Sequence, residues 1–146
     1  MVPERPADSS AITRRGLRYL SALLLFGIGA VHLQQYFGVY YRVIPVIGPL
    51  FAANFAIAVL LGLALLIPLE RIPRIGRPLL ILTSAGAIAF AVGVIAGLEL
   101  SEFGTLFGFH ENGYRFAITL SLALEAAVIL LLSAFLALEA KATSRR

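Results

Sequence analysis

The sequence contains no cysteine, and few of its residues carry a charge. Of its 146 residues, 14% are charged and 60% are hydrophobic, whereas a soluble domain has about a quarter charged and about half apolar. The lack of cysteine excludes disulfides, thiolate metal sites, thiol nucleophiles and thioether-linked haem. The sequence also has no Ser-His-Asp spacing and no glycine-rich phosphate loop. The composition therefore indicates a protein that resides in lipid, and no motif indicates catalysis.

Lysine is nearly absent as well. Eleven of the twelve basic residues are arginine, and Lys141 is the exception. Together with the abundant alanine, glycine and leucine, this usage is typical of a GC-rich bacterial genome. The net charge is +4 and the pI is about 10.0, which in a soluble protein would suggest nucleic acid as a partner. Here the basic residues lie at the ends of hydrophobic runs, so membrane topology explains them better than nucleic acid binding does.

Four apolar runs are long enough to span a bilayer, which takes about 20 helical residues. Prolines lie at the edges of these runs, and no run alternates polar with apolar residues as a barrel strand does. The predicted fold class is an all-α membrane protein, a four-transmembrane-helix bundle in up-down-up-down order. The predicted helices cover 16–41, 47–69, 77–100 and 116–140, with an interfacial loop at 101–115 and tails at 1–15 and 141–146.

Small residues recur at every fourth position on two of the predicted helices. In lipid, such spacing lets the backbones of neighbouring helices approach closely. Both sets are therefore predicted to be packing faces. They are Ala58 and Gly62 on the second helix, and Ala89, Gly93 and Gly97 on the third.

The positive charges are distributed unevenly between the two ends of the predicted bundle. Ten of the twelve lie on the side of the two termini, and only Arg42 and Arg115 lie on the other side. Because cytoplasmic loops are enriched in Lys and Arg, both termini are predicted to be cytoplasmic. The tail at 1–15 is polar and is predicted to be disordered. The predicted location is the bacterial plasma membrane, with the lipid bilayer as the first partner.

Polar residues inside the apolar runs are the strongest functional signal, since burying them in lipid is costly. His32 on the first helix and Glu125 on the fourth lie roughly 12 Å and 13 Å from the predicted outer surface, at 1.5 Å per residue. Asn54 on the second helix is within a turn of that depth, and Gln35 shares the face of His32. We predict that these four side chains meet inside the bundle, as candidate ligand-binding residues.

Two interpretations remain open for this polar level, which is the depth shared by His32, Asn54 and Glu125. The first is a hydrogen-bonded cluster that fixes the register of the helices. The second is an outward-facing binding site for a small ligand, a proton or a metal. A metal needs more ligands than His32 and Glu125 supply. Bis-histidine haem needs a second histidine within the membrane, whereas His110 lies in a predicted loop. The sequence therefore identifies neither a cofactor nor a metal.

The predicted outer loop is rich in aromatic residues and also acidic. This composition predicts a short interfacial helix or a plug over the mouth of the bundle, with aromatic rings at headgroup depth. A simple interfacial anchor and a lid over the polar level are the alternatives. The two outer arginines are expected to pair with acidic residues or a lipid phosphate. The candidate polar residues of the outer face are Arg42, Glu99, Glu102, His110, Glu111 and Arg115.

Three segments resemble a group of uncharacterised small membrane proteins from actinobacteria. They are the His-Leu pair at 32–33, the Tyr-Arg-x-Ile-Pro-x-Ile-Gly segment at 41–48 and the Leu-Phe-Gly-Phe-x-Glu segment at 106–111. A glutamate in the last helix also resembles that pattern. The resemblance implies a four-helix integral membrane protein and implies no activity. It further implies one shared feature on the outer side, formed by His32, Arg42, Glu111 and Glu125.

Two classes of function follow from these observations. The first is a non-catalytic module: either an accessory subunit of a larger membrane complex or homo-oligomer, or a binder of a lipid or small ligand in an outward-facing polar pocket. The alternative is a redox or proton-coupled component that uses His32 and Glu125 for a cofactor, a metal or a proton. From 126 to 138 the fourth helix has Ser133 as its only polar residue. No polar path continues inward, which favours a pocket that opens on one side.

Overall fold

The structure is a computed structural model that describes residues 9–144. Within this range the chain is helical, as predicted, and each of its four α-helices is long and apolar enough to cross a membrane. These lengths and compositions indicate a multi-pass membrane protein. The α-helices are α1 (Ser9–Gly38), α2 (Ile47–Leu66), α3 (Gly76–Phe103) and α4 (Phe116–Ser144). Two short 3₁₀ helices, Tyr40–Val43 and Leu69–Arg71, lie in the first two connections.

Proline determines several of the helix boundaries. The ring of Pro68 disfavours helical backbone at the preceding residue, and Ile67 is extended, with a ψ of 131°. Helix α2 therefore ends at Leu66, before its predicted boundary. Pro49 and Pro78 lie in the first turns of α2 and α3, where the missing N–H removes no hydrogen bond within the helix.

Helix α1 begins earlier than predicted, and helix α4 ends later than predicted. Residues 9–15 were expected in a disordered tail, but they form the first turns of α1; residues 1–8 lie outside the described part of the chain. Helix α4 likewise continues to Ser144, through most of the tail predicted at 141–146. Nε of Arg14 lies 2.9 Å from Oε1 of Glu139. This ion pair joins the polar start of α1 to the polar end of α4. Composition alone does not reveal such a long-range contact.

Small residues let α1 and α2 pack closely. A Cβ added to Gly62 of α2 would lie 2.7 Å from Cε1 of Phe26 on α1, and one added to Gly29 of α1 would lie 3.5 Å from Cβ of Ala58. The predicted packing role of Ala58 and Gly62 therefore agrees with the structure. The buried core beside this contact includes Ala22, Leu25, Ile28, Leu65, Val128, Leu132 and Phe135.

Two polar networks connect segments that are distant in the chain. The Glu139 network consists of Arg14 of α1, Arg77 of α3 and Glu139 of α4. The Glu111 network consists of Tyr41, Glu111 and Arg115, and it connects the first 3₁₀ helix with the segment before α4. Each network lies beside a cavity.

Candidate ligand-binding cavity

A cavity of about 340 Å³ has walls from all four α-helices, from the 3₁₀ helix Tyr40–Val43 and from the connection 104–115. The four side chains that the sequence suggested as ligand-binding residues all line this cavity. They are His32, Gln35, Asn54 and Glu125. The structure thus brings together residues from α1, α2 and α4 that are far apart in the chain.

The small residues of α3 leave space for this cavity. A Cβ added to Gly93 would meet no atom within 4 Å, and one added to Gly97 would lie 3.8 Å from Leu106. Ala89, Gly93 and Gly97 line the cavity, whereas the sequence predicted that they form a face that packs against another helix. Most of the wall is apolar, including Phe51. An apolar wall with a few convergent polar groups is typical of small-molecule sites.

His32 is held in one orientation by its own helix. Its Nδ1 lies 2.9 Å from the carbonyl oxygen of Ile28, one turn earlier in α1. A carbonyl oxygen only accepts, so Nδ1 carries the hydrogen and donates it. In the neutral imidazole, Nε2 is then a bare acceptor. The ring also packs on Phe51, with centroids 5.3 Å apart.

Glu125 is the most buried acidic residue of the described chain, with 1% of its surface exposed. The hydroxyl of Ser121, one turn earlier in α4, donates to Oε1 at 2.8 Å. The second oxygen, Oε2, is buried and has no hydrogen-bond partner. A buried oxygen without a donor is costly, so the carboxyl group is only half satisfied by the protein.

Gln35 leaves a second acceptor without a partner. Its Nε2 donates to Oε1 of the exposed Gln34, while its own Oε1 is buried and unpartnered. Asn54 is half-buried on α2 and lines the same cavity. The cavity wall therefore presents several polar groups that the described residues do not saturate.

The Glu111 network closes one side of the cavity wall. The Tyr41 hydroxyl donates to Oε2 of Glu111 and accepts from Nη2 of Arg115. The same Arg115 nitrogen lies 3.1 Å from Oε1 of Glu111. The Tyr41 ring stacks on Phe51, with centroids 4.5 Å apart and planes at 16°. Tyr41 therefore couples the polar network to the aromatic wall.

The environment keeps the Tyr41 hydroxyl protonated. Burial is the main cause, and the hydrogen bond and negative charge of Glu111 act in the same direction, so the pKa of Tyr41 lies well above its usual value. The positive charge of Arg115 opposes this shift but does not cancel it. A neutral hydroxyl can serve both neighbours, donating to the carboxylate and accepting from the guanidinium.

The other candidate residues of the predicted outer face lie apart from the cavity. Three of them have hydrogen-bond partners nearby in the chain. Glu99 bonds to the Tyr114 hydroxyl, Glu102 to the Gly113 N–H and His110 to the Gly104 carbonyl. Arg42 is exposed and forms no ion pair among residues 9–144. Of the six candidates, Glu111 alone lines the cavity.

The donor set does not suit a metal ion. Within the described residues, no group of three or more His, Asp or Glu side chains converges in a way that could hold a metal. Structural and catalytic zinc sites use at least three protein ligands. His32 and Glu125 therefore lack the further ligand that a metal site in this cavity would need.

The connection between α3 and α4 forms a turn in place of the predicted interfacial helix. Leu106 and Phe109 exchange backbone hydrogen bonds of 2.8 and 2.9 Å. The two residues between them, Phe107 and Gly108, have φ values of 51° and 79°, as in the tight turns of β-hairpins. Leu106 and Phe109 line the cavity, while Phe107 is exposed. This turn is therefore part of the cavity wall, in agreement with the plug alternative.

Sequence reasoning missed the roles of two buried residues. From the sequence, Tyr41 was noted within the resembling segment at 41–48, and Arg18 was counted only among the ten basic residues on the side of the termini. Arg18 has 2% of its surface exposed. The available signal was its position in the first turn of an apolar run, where an unpaired arginine is unfavourable.

No protein-family model, no curated protein and no solved structure matches the chain. The geometry of the cavity is therefore the basis for assigning a function.

Proposed function

We propose that this protein is a non-catalytic membrane protein that binds a small, mostly apolar ligand in the cavity between its helices. One observation carries the proposal. Oε2 of Glu125 and Oε1 of Gln35 are buried without partners in residues that line the cavity. An unsatisfied buried polar atom costs about 1–3 kcal/mol. A ligand that donates hydrogen bonds to both atoms would offset this cost.

The chemistry of the wall defines the class of ligand. In the ionised carboxylate Oε2 of Glu125 is an acceptor, as are the amide oxygen Oε1 of Gln35 and, in the neutral imidazole, Nε2 of His32. The ligand should therefore carry O–H or N–H donors at one end, as an alcohol or an amine does. The aromatic and aliphatic remainder of the wall suits an apolar body.

We further propose that the helices run up-down-up-down through a bacterial plasma membrane, with both termini cytoplasmic. The bias of ten against two basic residues supports this orientation. The ion pair between Arg14 and Glu139, which joins the start of α1 to the end of α4, supports the order of the helices. In this arrangement the cavity lies toward the outer face, and the ligand reaches it from outside the cell.

A proton-coupled role is the second candidate, because Glu125 is a deeply buried carboxyl group with one free oxygen. The helix beyond it argues against a path across the bilayer. Val128, Leu132 and Phe135 follow Glu125 on the buried face of α4, and all three are apolar. A proton path needs a chain of polar groups or water. A pocket open on one side is therefore preferred.

An accessory-subunit role predicts a stable protein partner and gives the cavity no function.

Native mass spectrometry of the protein gently extracted from its own membrane distinguishes these proposals. We expect a bound mass in the small-molecule range on the wild-type chain. We also expect His32→Ala and Glu125→Gln to remove it, since the first takes away an acceptor of the wall and the second replaces the free carboxyl oxygen with an amide N–H donor.

Two matched variants serve as controls for this experiment. His110→Ala and Glu102→Gln make the same changes at residues that do not line the cavity, so both should keep the bound mass. A bare wild-type chain would contradict the ligand proposal. A chain that carries no small molecule but co-purifies with another protein would support the accessory-subunit role. Proton uptake into proteoliposomes that Glu125→Gln abolishes would support the proton-coupled role.

A further inference from the structure

A second cavity, of about 280 Å³, lies beside the Glu139 network and shares no lining residue with the first. Its lining is basic, because four arginines and two glutamates give it a net formal charge of +2. Leu80 and Phe135 add an apolar part to the wall. The charged lining residues are Arg14, Arg15, Arg18, Arg77, Glu70 and Glu139.

Arg18 provides a buried donor that the protein itself does not use. Its Nη1 donates to Oε2 of Glu70 at 2.6 Å, and its Nη2 donates to the Tyr19 hydroxyl at 2.9 Å. Its Nε is buried without a hydrogen-bond partner. An incompletely satisfied buried charge is unfavourable, so an acceptor bound in this cavity would complete the hydrogen bonding of Arg18.

The two glutamates hold the arginines in place without neutralising them all. Glu139 accepts from Nε of Arg14 at 2.9 Å and from Nε of Arg77 at 3.1 Å. Burial alone would raise the pKa of Glu70, but the hydrogen bond and charge of Arg18 outweigh it, and the pKa lies below its usual value. Glu70 therefore stays ionised at neutral pH, and the excess of positive charge remains.

We infer that this second cavity binds a phosphate group, carried by an anionic phospholipid headgroup or by free phosphate. Guanidinium groups match the geometry and charge of phosphate oxygens. The cavity lies where α1 and α4 pass from apolar to polar sequence, which is the depth of lipid headgroups. Basic pockets between transmembrane helices on the cytoplasmic side are typical sites for such headgroups. The proposed orientation of the termini places the cavity on that side.

Binding to the full-length protein in detergent tests this inference, with native mass spectrometry as the readout. The probes are dioctanoyl phosphatidylglycerol, inorganic phosphate and dioctanoylglycerol, which has the acyl chains but no phosphate. Arg15→Gln removes an exposed cation of the cavity. Arg71→Gln removes an exposed cation of the neighbouring 3₁₀ helix that does not line the cavity. We expect Arg15→Gln to weaken phosphatidylglycerol binding about fivefold, and Arg71→Gln to leave it unchanged.

Competition identifies the source of the phosphate group. Inorganic phosphate that displaces phosphatidylglycerol supports a site for free phosphate as well, and phosphatidylglycerol binding without competition supports a lipid site. Equal binding of dioctanoylglycerol, or equal weakening by Arg15→Gln and Arg71→Gln, would overturn the inference. Arg18→Lys tests the buried donor, with thermal unfolding confirming that the variant is folded. If a folded Arg18→Lys binds phosphatidylglycerol as the wild type does, the buried Nε donor of Arg18 does not contact the phosphate.

Discussion

Buried polar residues in this protein divide into those that their own helix satisfies and those that it does not. The hydroxyls of Ser21 and Ser84 each donate to the carbonyl four residues earlier, at 2.8 Å. Glu125, Gln35 and Arg18 each keep one buried atom without a partner. Serines that donate to a carbonyl of their own helix need no ligand. The three unpartnered atoms, in contrast, lie in residues that line the two cavities.

The Tyr41 hydroxyl offers a test at the scale of a single residue. We expect Tyr41→Phe to lower the free energy of unfolding by about 1–2 kcal/mol, because the buried Glu111 loses a donor while the ring stacking on Phe51 is kept. Titration with sodium dodecyl sulfate measures this free energy. Tyr40→Phe is the matched control, since Tyr40 is 76% exposed. Equal stability of the two variants would show that the Glu111 network does not stabilise the fold.

At the scale of the helix, glycine has opposite roles in α2 and α3. Gly62 of α2 lies against the ring of Phe26, whereas Gly93 of α3 lies beside open space. The fourfold spacing of small residues is the same on both helices. Spacing therefore identifies a face with small side chains but does not show whether another helix or a cavity lies against it.

Two alanine substitutions test this difference between the helices. We expect Gly93→Ala to stabilise the protein by about 0.5–1 kcal/mol, because alanine has the higher helix propensity and its Cβ meets no atom. Gly62→Ala should destabilise it by about 1–3 kcal/mol, because the new Cβ displaces the Phe26 ring. The same detergent titration measures both values. A stabilising Gly62→Ala would contradict the close packing of α1 on α2.

At the scale of the whole molecule, the two cavities differ in chemistry. One is mostly apolar with a few unsatisfied acceptors, and the other is basic with an unsatisfied donor. Between them, the buried face of α4 is apolar from Val128 to Phe135. The two sites are therefore expected to bind independently, the first facing outward and the second facing the cytoplasm in the proposed orientation.

The orientation can be measured directly, because the native sequence has no cysteine. Single cysteines are introduced at two exposed positions, by Thr105→Cys in the connection before α4 and by Ser144→Cys at the end of α4. We expect a membrane-impermeant maleimide to label Thr105→Cys in intact cells. Ser144→Cys should react only after permeabilisation. The reverse pattern would place the termini outside and would contradict the orientation drawn from the basic residues.

The sequence by itself determined the helical class and the four apolar spans, and it predicted that His32, Asn54 and Glu125 lie at one depth. These features depend on local composition, on helix length and on the rise per residue, all of which are properties of a continuous segment. The prediction of Gln35 on the same face depended only on helical periodicity. Each of these side chains lines the first cavity.

Only the tertiary structure decided which polar atoms have partners. The bonds of Arg18 to Glu70 and of Tyr41 to Glu111 join residues 52 and 70 positions apart, and no periodicity predicts such pairs. The first turns of α1 are helical beside Glu139, although their composition suggested a disordered tail. Long-range contacts depend on how the helices pack around one another, which local sequence does not encode. Both cavities, and the unpartnered atoms in their walls, follow from that packing.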